Sequence, residues 1–517
     1  MKLLAAFLPL LGIVSGTVDT SGIAAYVSDT FACNGGTYKG LSISVVQNGQ
    51  VLYSDGFGVR DTVGNVAVSN KTLFGIGGLT KAFTAALVYN LTVDKGYSRD
   101  VDTSLRSMLD DKTLFRSSMR SRYATLRDLL AHRMGYNQHN FMRLNLNRSQ
   151  IIERIRELPI KSRFRDSYRH SNLFYGYVTY LVEFLGNNTF ETLMQQKVFD
   201  PLQMADSSFF TTADFSGKNY ASGYIDNYGT AYEVPMDFLK KWAELSGSGG
   251  IVSTADDMAK WMMFNLNGTY NQQGNYVMKS SIVKDLHKPW NRIQSASVED
   301  HFKKPKTDHS VFHSSYGLGW KSGSYRGYDI ITHGGSTYGY DSLITLVPHT
   351  QIGVYTAVTG NDHDYIYQTN IHNKIIDELL GLTPWVNATY TCSYSKDNTP
   401  AQTAPTFAKN YPFPYDASYY VGDYTDAAYG NLSISEEAGN LKMKYGIATF
   451  DMFSQDADSV APTNNRSYIV STGITHTIID DGQVLFKQNN LTMSHFDEVV
   501  LEAFDDDQPP KFQRIHH

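Results

Sequence analysis

Phe74-Gly-Ile-Gly-Gly-Leu-Thr-Lys-Ala-Phe-Thr84 runs directly into Ala85-Ala-Leu-Val-Tyr89. Glycines at 75, 77 and 78 form a turn, and the residues after it are small or apolar at almost every position, the pattern of a helix buried all round. One charged side chain, Lys81, falls in the first turn. A cation there opposes the helix dipole, and a buried ammonium must find partners or give up its proton. A lysine kept in such a place points to chemistry.

Working outward, residues 18–33 read as a first helix, and Leu41-Ser-Ile-Ser-Val-Val-Gln-Asn-Gly-Gln-Val-Leu-Tyr53 alternates on both sides of Asn48-Gly49, a hairpin signal. On the far side of the turn the order of motifs is Thr125-Leu-Arg-Asp-Leu-Leu-Ala-His-Arg-Met-Gly135, Tyr168-Arg-His-Ser-Asn172, Phe199-Asp-Pro-Leu-Gln-Met204, Gly249-Gly-Ile-Val-Ser-Thr-Ala-Asp-Asp-Met258, Tyr316-Gly-Leu-Gly-Trp320 and Ile330-Ile-Thr-His-Gly-Gly-Ser-Thr-Tyr-Gly-Tyr340.

Taken together and in this order, these motifs resemble the serine β-lactamase and penicillin-binding-protein family, in particular class C β-lactamases, D-alanyl-D-alanine carboxypeptidases and β-lactamase-like esterases. The resemblance covers residues 20–385. It implies an α/β (α+β) domain with an antiparallel sheet and a helical subdomain. It also implies that the glycine turn corresponds to the family's S-x-x-K, a nucleophilic serine followed one helical turn later by its lysine partner. Here Gly78 stands at the serine's position and Lys81 at the lysine's. The family's Y-x-N becomes His170-Ser171-Asn172, and its K-T-G or H-x-G strand corresponds to His333-Gly334-Gly335. The backbone N–H of Ser336, with that of residue 78, would form the oxyanion hole, and a glycine at 78 keeps its N–H. The helix around His132 reads as a fold marker rather than a catalytic element.

Nothing else in the chain replaces the serine. Ser281 to Lys284 and Ser393 to Lys396 share the spacing but not the setting, and Thr80 lies about 200° around the helix from position 78. Loss of such a nucleophile can cost a hydrolase on the order of a million-fold in turnover. The expectation is therefore a catalytically degenerate member, not an enzyme, with a vestigial pocket of Gly78, Lys81, His170, Asn172, His333, Gly335 and Ser336. It would act as a binding or extracellular-matrix component, a mineralised matrix being one compatible setting. The alternative is an active serine-independent or weak hydrolase of ester, β-lactam or D-amino-acid peptide substrates. No metal site or cofactor is expected; His170 and His333 lack a tight ligand spacing.

The rest of the 517-residue chain frames this reading. Residues 1–16 have the basic start, apolar run and small final residues of a cleaved signal peptide, and no later stretch is apolar enough to span a bilayer. A secreted, extracellular protein is expected. The two cysteines, Cys33 and Cys392, are a candidate disulfide closing a very long loop. Glycosylation sequons begin at Asn70, Asn90, Asn147, Asn187, Asn267, Asn387, Asn431, Asn465 and Asn490. The net charge of −6 gives no reason to expect nucleic acid, yet residues 112–170 hold twelve arginines and two lysines against four acids. That excess reads either as a solvated helical face or as a surface for anionic matrix components, while the cleft would take a peptide-like or carboxylate ligand. After the family-like region (17–385), residues 386–412 read as a linker. Residues 413–517 read as a C-terminal all-β barrel or sandwich of short alternating strands.

Overall fold

The computed structural model describes residues 20–34, 37–97, 100–109, 115–216, 219–227, 230–294, 311–398, 413, 415–454, 466–473, 482–487, 495–505 and 507–516. The signal-peptide stretch 1–16, the sequons at Asn465 and Asn490, and residues 399–412 of the expected linker lie outside them.

An eight-stranded antiparallel sheet forms the backbone of the family-like region. Its strands are β1 (Gly40–Gln47), β2 (Gln50–Gly58), β3 (Asn291–Arg292), β4 (Phe312–Tyr316), β5 (Lys321–Tyr325), β6 (Tyr328–Thr337), β7 (Tyr340–Val347) and β8 (Ile352–Thr359), in the order β2-β1-β8-β7-β6-β5-β4-β3. The β1–β2 hairpin turns at Asn48-Gly49, both with positive φ, as the alternating sequence requires. Period-two alternation then separates two cores. Leu41, Ile43 and Val45 of β1 face one side, where helix α1 (Thr20–Cys33) and a helix late in the domain, Ile366–Leu379, cover the sheet with Ile23, Val27, Tyr367, Ile371 and Ile375. Val46 belongs to the other core, with Ile344, Leu346, Tyr355 and the helical subdomain.

That subdomain is centred on α2 (Thr80–Asp94), buried at every residue from Thr80 to Thr92, and on α3 (Asn172–Gly186), which packs against it. The helix α4 (Ala255–Asn267) is capped by Thr254, whose hydroxyl accepts the Asp257 N–H. The covering helix Ile366–Leu379 is α5, and α6 (Ala388–Asn398) follows it. This last helix corrects the expectation of a linker beginning at 386. Ala388–Asn398 is held to α1 by a Cys33–Cys392 disulfide and by the Tyr26 hydroxyl, 2.7 Å from the Thr391 hydroxyl, so a polar composition there is ordered by its attachments. Among the described residues no helix is long and apolar enough to cross a membrane.

The C-terminal strands β9 (Gly422–Asp426), β10 (Gly430–Glu437), β11 (Asn440–Tyr445), β12 (Ala448–Ser454), β13 (Arg466–Gly473), β14 (Gly482–Lys487), β15 (Glu498–Leu501) and β16 (Lys511–Arg514) close into an antiparallel barrel. Tyr424, Ile434, Met443, Phe450, Phe486, Val499 and Phe512 contribute to its buried core. The barrel docks on the helical subdomain. Asn145 Nδ2 donates to the Tyr429 and Asn431 carbonyls at 3.0 Å each, the Ile447 N–H donates to Leu144 O at 3.1 Å, and Phe141 stacks on Phe504 with ring centroids 4.5 Å apart.

The arginine-rich stretch is spent mostly inside the molecule. Arg127 pairs with Asp102 and Asp285, Arg133 and Arg165 share Asp128, Arg148 meets Glu183 and Glu191, and Arg120 donates to the Met134 and Ser162 carbonyls. Arg143 is buried against the rings of Trp242 and Tyr338. A sequence window sees only its own four acids; the fold brings Asp102, Glu183, Glu191 and Asp285 from outside it. Among the sequons, Asn147, Asn187, Asn267, Asn387 and Asn431 are exposed, and Asn70 donates its amide to both Asp256 oxygens. Asn90 is buried on α2, which corrects the expectation of a glycan there: that helix face has no solvent beside it.

Candidate active site

Residues Gly77–Leu79 form a single 3₁₀ turn that feeds α2. The first bonded N–H is that of Leu79, donated to Ile76 O at 3.1 Å, so the Gly78 N–H lies ahead of the ladder and is not used by it. Two glycines allow this turn to lie against β6. Gly77 has φ +46°, and a Cβ there would sit 2.8–2.9 Å from the Ser336 backbone. A Cβ on Gly335 would fall 2.0 Å from Ile76 O and 3.0 Å from Gly78 N. The turn and the strand are thus in direct backbone contact, as a substrate clamp needs.

Lys81 is buried, and its ammonium donates to Ser248 O at 3.1 Å, with the Tyr175 ring centroid 5.7 Å away. Burial, and to a lesser degree the charge of Lys321, lower its pKa to about 7. A Cβ at position 78 would lie 3.3 Å from this nitrogen, 3.1 Å from Gly334 O and 3.4 Å from His333 Cε1. The amine therefore faces the place that a residue-78 side chain would occupy.

His333 Nδ1 donates to its neighbour's carbonyl, Gly334 O, at 2.6 Å, so its Nε2 is the acceptor for the Tyr316 hydroxyl at 3.0 Å. His132 accepts the Ser171 N–H on Nδ1 at 3.1 Å, which leaves Nε2 protonated and without a hydrogen-bond partner. Its ring lies 4.8 Å from those of both His170 and Tyr316. Burial holds all three histidines well below the ordinary imidazole range; Lys81 adds to the effect on each, and His170 contributes to it on His132 and His333. The centre is a set of imidazoles kept neutral by burial around two amines whose pKa values burial lowers.

Of the residues expected from the sequence, Gly78, Lys81, His170, His333, Gly335 and Ser336 converge here. Asn172 opens α3 and donates to Asn140 Oδ1 at 3.1 Å, which places it against the loop ahead of the docked barrel. His132 was read as a fold marker only. The fold instead seats it against His170, with the rings 4.8 Å apart and a backbone φ of 55° at His132. Tyr175, Tyr316, Lys321 and the Ser248 carbonyl were not foreseen; only the Tyr316-Gly-Leu-Gly-Trp320 landmark hinted at one of them. The barrel was not expected beside His170, the one residue of this centre that also lines a neighbouring cavity. A cavity of about 640 Å³ is lined by Asn137, Asn140, Tyr168 and His170 on one side and by Phe504, Asp505 and Asp507 on the other.

Residues 28–371 match the family described as Beta-lactamase. The chain belongs to that family. Among family relatives, it is 36% identical over 238 residues to Gigasin-6 of Magallana gigas, covering 45% of this chain and 78% of that protein. It is 26% identical over 429 residues to an unguisins hydrolase of Aspergillus violaceofuscus, covering 78% of this chain and 75% of that one. The fold is shared with an octameric penicillin-binding protein homologue from Pyrococcus abyssi (TM-score 0.59, 17% identity, 96% of this chain and 100% of that chain). It is also shared with a D-amino acid amidase from Ochrobactrum anthropi (TM-score 0.53, 17% identity, 66% and 92%).

These findings correct the expectation of a chain that is not an enzyme. Relatives that align over three quarters of both chains are named hydrolases, and a glycine at position 78 leaves the lysine, the clamp and the imidazoles of the cleft in place.

Proposed function

We propose that this member of the Beta-lactamase family hydrolyses peptide-like amides or esters, with water as the nucleophile in place of a serine. One observation carries the reading. Lys81 is a buried amine with a pKa lowered to about 7, and it faces the space beside Gly78 where an attacking oxygen would stand. A base poised near neutrality is suited to remove a proton from water. In the step, a water O–H proton passes to Lys81 Nζ as the oxygen bonds to the carbonyl carbon. The carbonyl electron pair moves onto its oxygen, which accepts hydrogen bonds from the Gly78 and Ser336 N–H groups. Collapse re-forms the carbonyl and breaks the bond to the leaving amine or alcohol, which takes the proton back from Lys81. The products are a carboxylic acid and the amine or alcohol.

Lys321, the cation beside Lys81, favours substrates that carry a carboxylate or develop negative charge. Two relatives that align over 78% of this chain are named unguisins hydrolases, which supports a hydrolytic reading. The test compares wild type with Lys81→Ala on p-nitrophenyl esters, a chromogenic β-lactam and D-amino-acid peptide amides. Wild-type turnover that falls at least about 100-fold in the variant is expected. Turnover that survives the substitution, or its absence from wild type with all three classes, would sink the proposal.

The same reading includes an extracellular location. The Cys33–Cys392 disulfide and the exposed sequons support it. A mass shift on enzymatic deglycosylation of the expressed full chain is the check.

A further inference from the structure

Far from the cleft in sequence, His495, Asp497 and His516 bring two imidazoles and a carboxylate together at the edge of the barrel. One donor atom from each lies within 4.8 Å of the other two. His495 Nε2 is 3.6 Å from Asp497 Oδ1, and the two imidazole rings are 5.5 Å apart. His495 Nε2 is sealed from solvent and makes no hydrogen bond. A buried ring nitrogen without a hydrogen bond is costly, and here it lies 3.6 Å from the Asp497 carboxylate.

The backbone around each ligand is pinned. Phe496 donates to Tyr419 O at 2.9 Å and Asp497 to Lys487 O at 2.9 Å, so the segment entering β15 is held on both sides of the barrel wall. Across from it, the Arg514 N–H donates to Asp497 O at 2.7 Å, and the next residue, Ile515, donates to Asp423 O at 2.8 Å. Arg514 Nε adds a bond to Phe496 O at 2.7 Å. His516 follows on this fixed base with an exposed side chain, so rotation of one side chain can complete the approach.

We propose that these three residues bind a divalent transition-metal ion, zinc being the best match. Two imidazole nitrogens and one carboxylate oxygen suit Zn²⁺, with bonds of about 2.0–2.2 Å that bring donors roughly 3.2–3.5 Å apart. The His495–Asp497 pair is already near that separation. Three protein ligands leave one position for solvent. Sequence spacing did not reveal the trio, because His516 joins the other two only when β16 pairs with β15. The ion clips the chain after β16 to the entry of β15, where the barrel closes.

The experiment uses the full chain, stripped with a chelator and titrated with zinc by calorimetry at neutral pH, with cobalt absorption as a second readout. One site per chain is expected, with tetrahedral cobalt bands and a raised Tm on zinc addition. His516→Ala, whose side chain is exposed, should weaken binding at least about 100-fold and abolish the Tm rise; Asp497→Asn should weaken it as well. His363→Ala, at an exposed histidine elsewhere, should change nothing. The absence of a stoichiometric site, or equal affinity in wild type and His516→Ala, would overturn the proposal. Equal binding of calcium would also overturn it, since imidazole nitrogens do not favour that ion.

Discussion

Lys81 Nζ donates to the carbonyl of Ser248 at 3.1 Å, and among the described residues no carboxylate pairs with it. The lysine and its acceptor lie 167 residues apart, on α2 and on the turn that ends in the strand Ile251–Ser253. An amine buried in this way is stable only if it can shed its proton near neutral pH.

Activity should therefore rise along an acid limb centred near pH 7, where Lys81 loses its proton. The sign for stability follows. Between about pH 7 and the ordinary lysine value near 10.4, the unfolded chain binds more protons than the native one, so the Lys81 contribution makes stability increase with pH over that window. Lys81→Met should abolish the activity limb and raise stability at pH 7 by about 1–3 kcal/mol. The measurements are kcat/KM against pH and urea unfolding at pH 7 and pH 9. A limb unchanged in position by removal of Lys321, the neighbouring cation, would show that burial dominates.

Gly78→Ser should convert the cleft to covalent catalysis. The new Cβ meets Gly334 O at 3.1 Å and Lys81 Nζ at 3.3 Å, so its neighbours need give only a few tenths of an ångström. With a fluorescent penicillin, intact mass should show one acyl adduct on the serine variant and none on wild type. An inert serine variant would mean that the turn and Lys81 are not aligned for acyl transfer.

Asp341 and Asp362 form a second titrating element behind the clamp. The Asp362 N–H donates to Asp341 Oδ2 at 2.6 Å, and burial pushes both carboxyl groups up, Asp341 to about 7. A raised carboxyl favours the folded state at low pH. That contribution is complete below the unfolded value near 4 and is lost as pH rises through the folded value. Asp341→Asn should flatten the stability profile between pH 5 and 8 by on the order of 1–2 kcal/mol, read from urea midpoints.

The disulfide joins α6 to α1, one of the two helices that cover one face of the eight-stranded sheet. Cys33→Ser should cost about 2–4 kcal/mol of stability. Hydrogen exchange should rise first in α1 and α6 while α2 stays protected. Uniform exchange across the molecule would show that α6 is not a separate fixture.

Local pattern made the frame legible. The hairpin at Asn48-Gly49 follows from period-two alternation around two residues that tolerate positive φ, and the buried α2 follows from a run with no polar face. The order of glycine and histidine motifs placed Gly78, Lys81, His170 and His333 in one cleft, and it separated the β-rich C-terminal region. The hairpin and α2 depend on neighbours within a few residues, which a sequence displays directly, while the cleft rests on the family resemblance of the motif order.

The expectation of inactivity came from weighing Gly78 alone. What the lysine does without a serine depends on its desolvation and on the carbonyl that holds it, and both are supplied by segments far along the chain. The same is true of His132 beneath His170, of Phe504 and Asp505 in the cavity beside His170, and of the acids that consume Arg127 and Arg148. Sequence by itself determined the family fold, the buried helix and the glycine at position 78. Tertiary structure decided the protonation of Lys81 and the shape of the cleft, because burial and charge pairing are set by residues that only folding brings within a few ångströms.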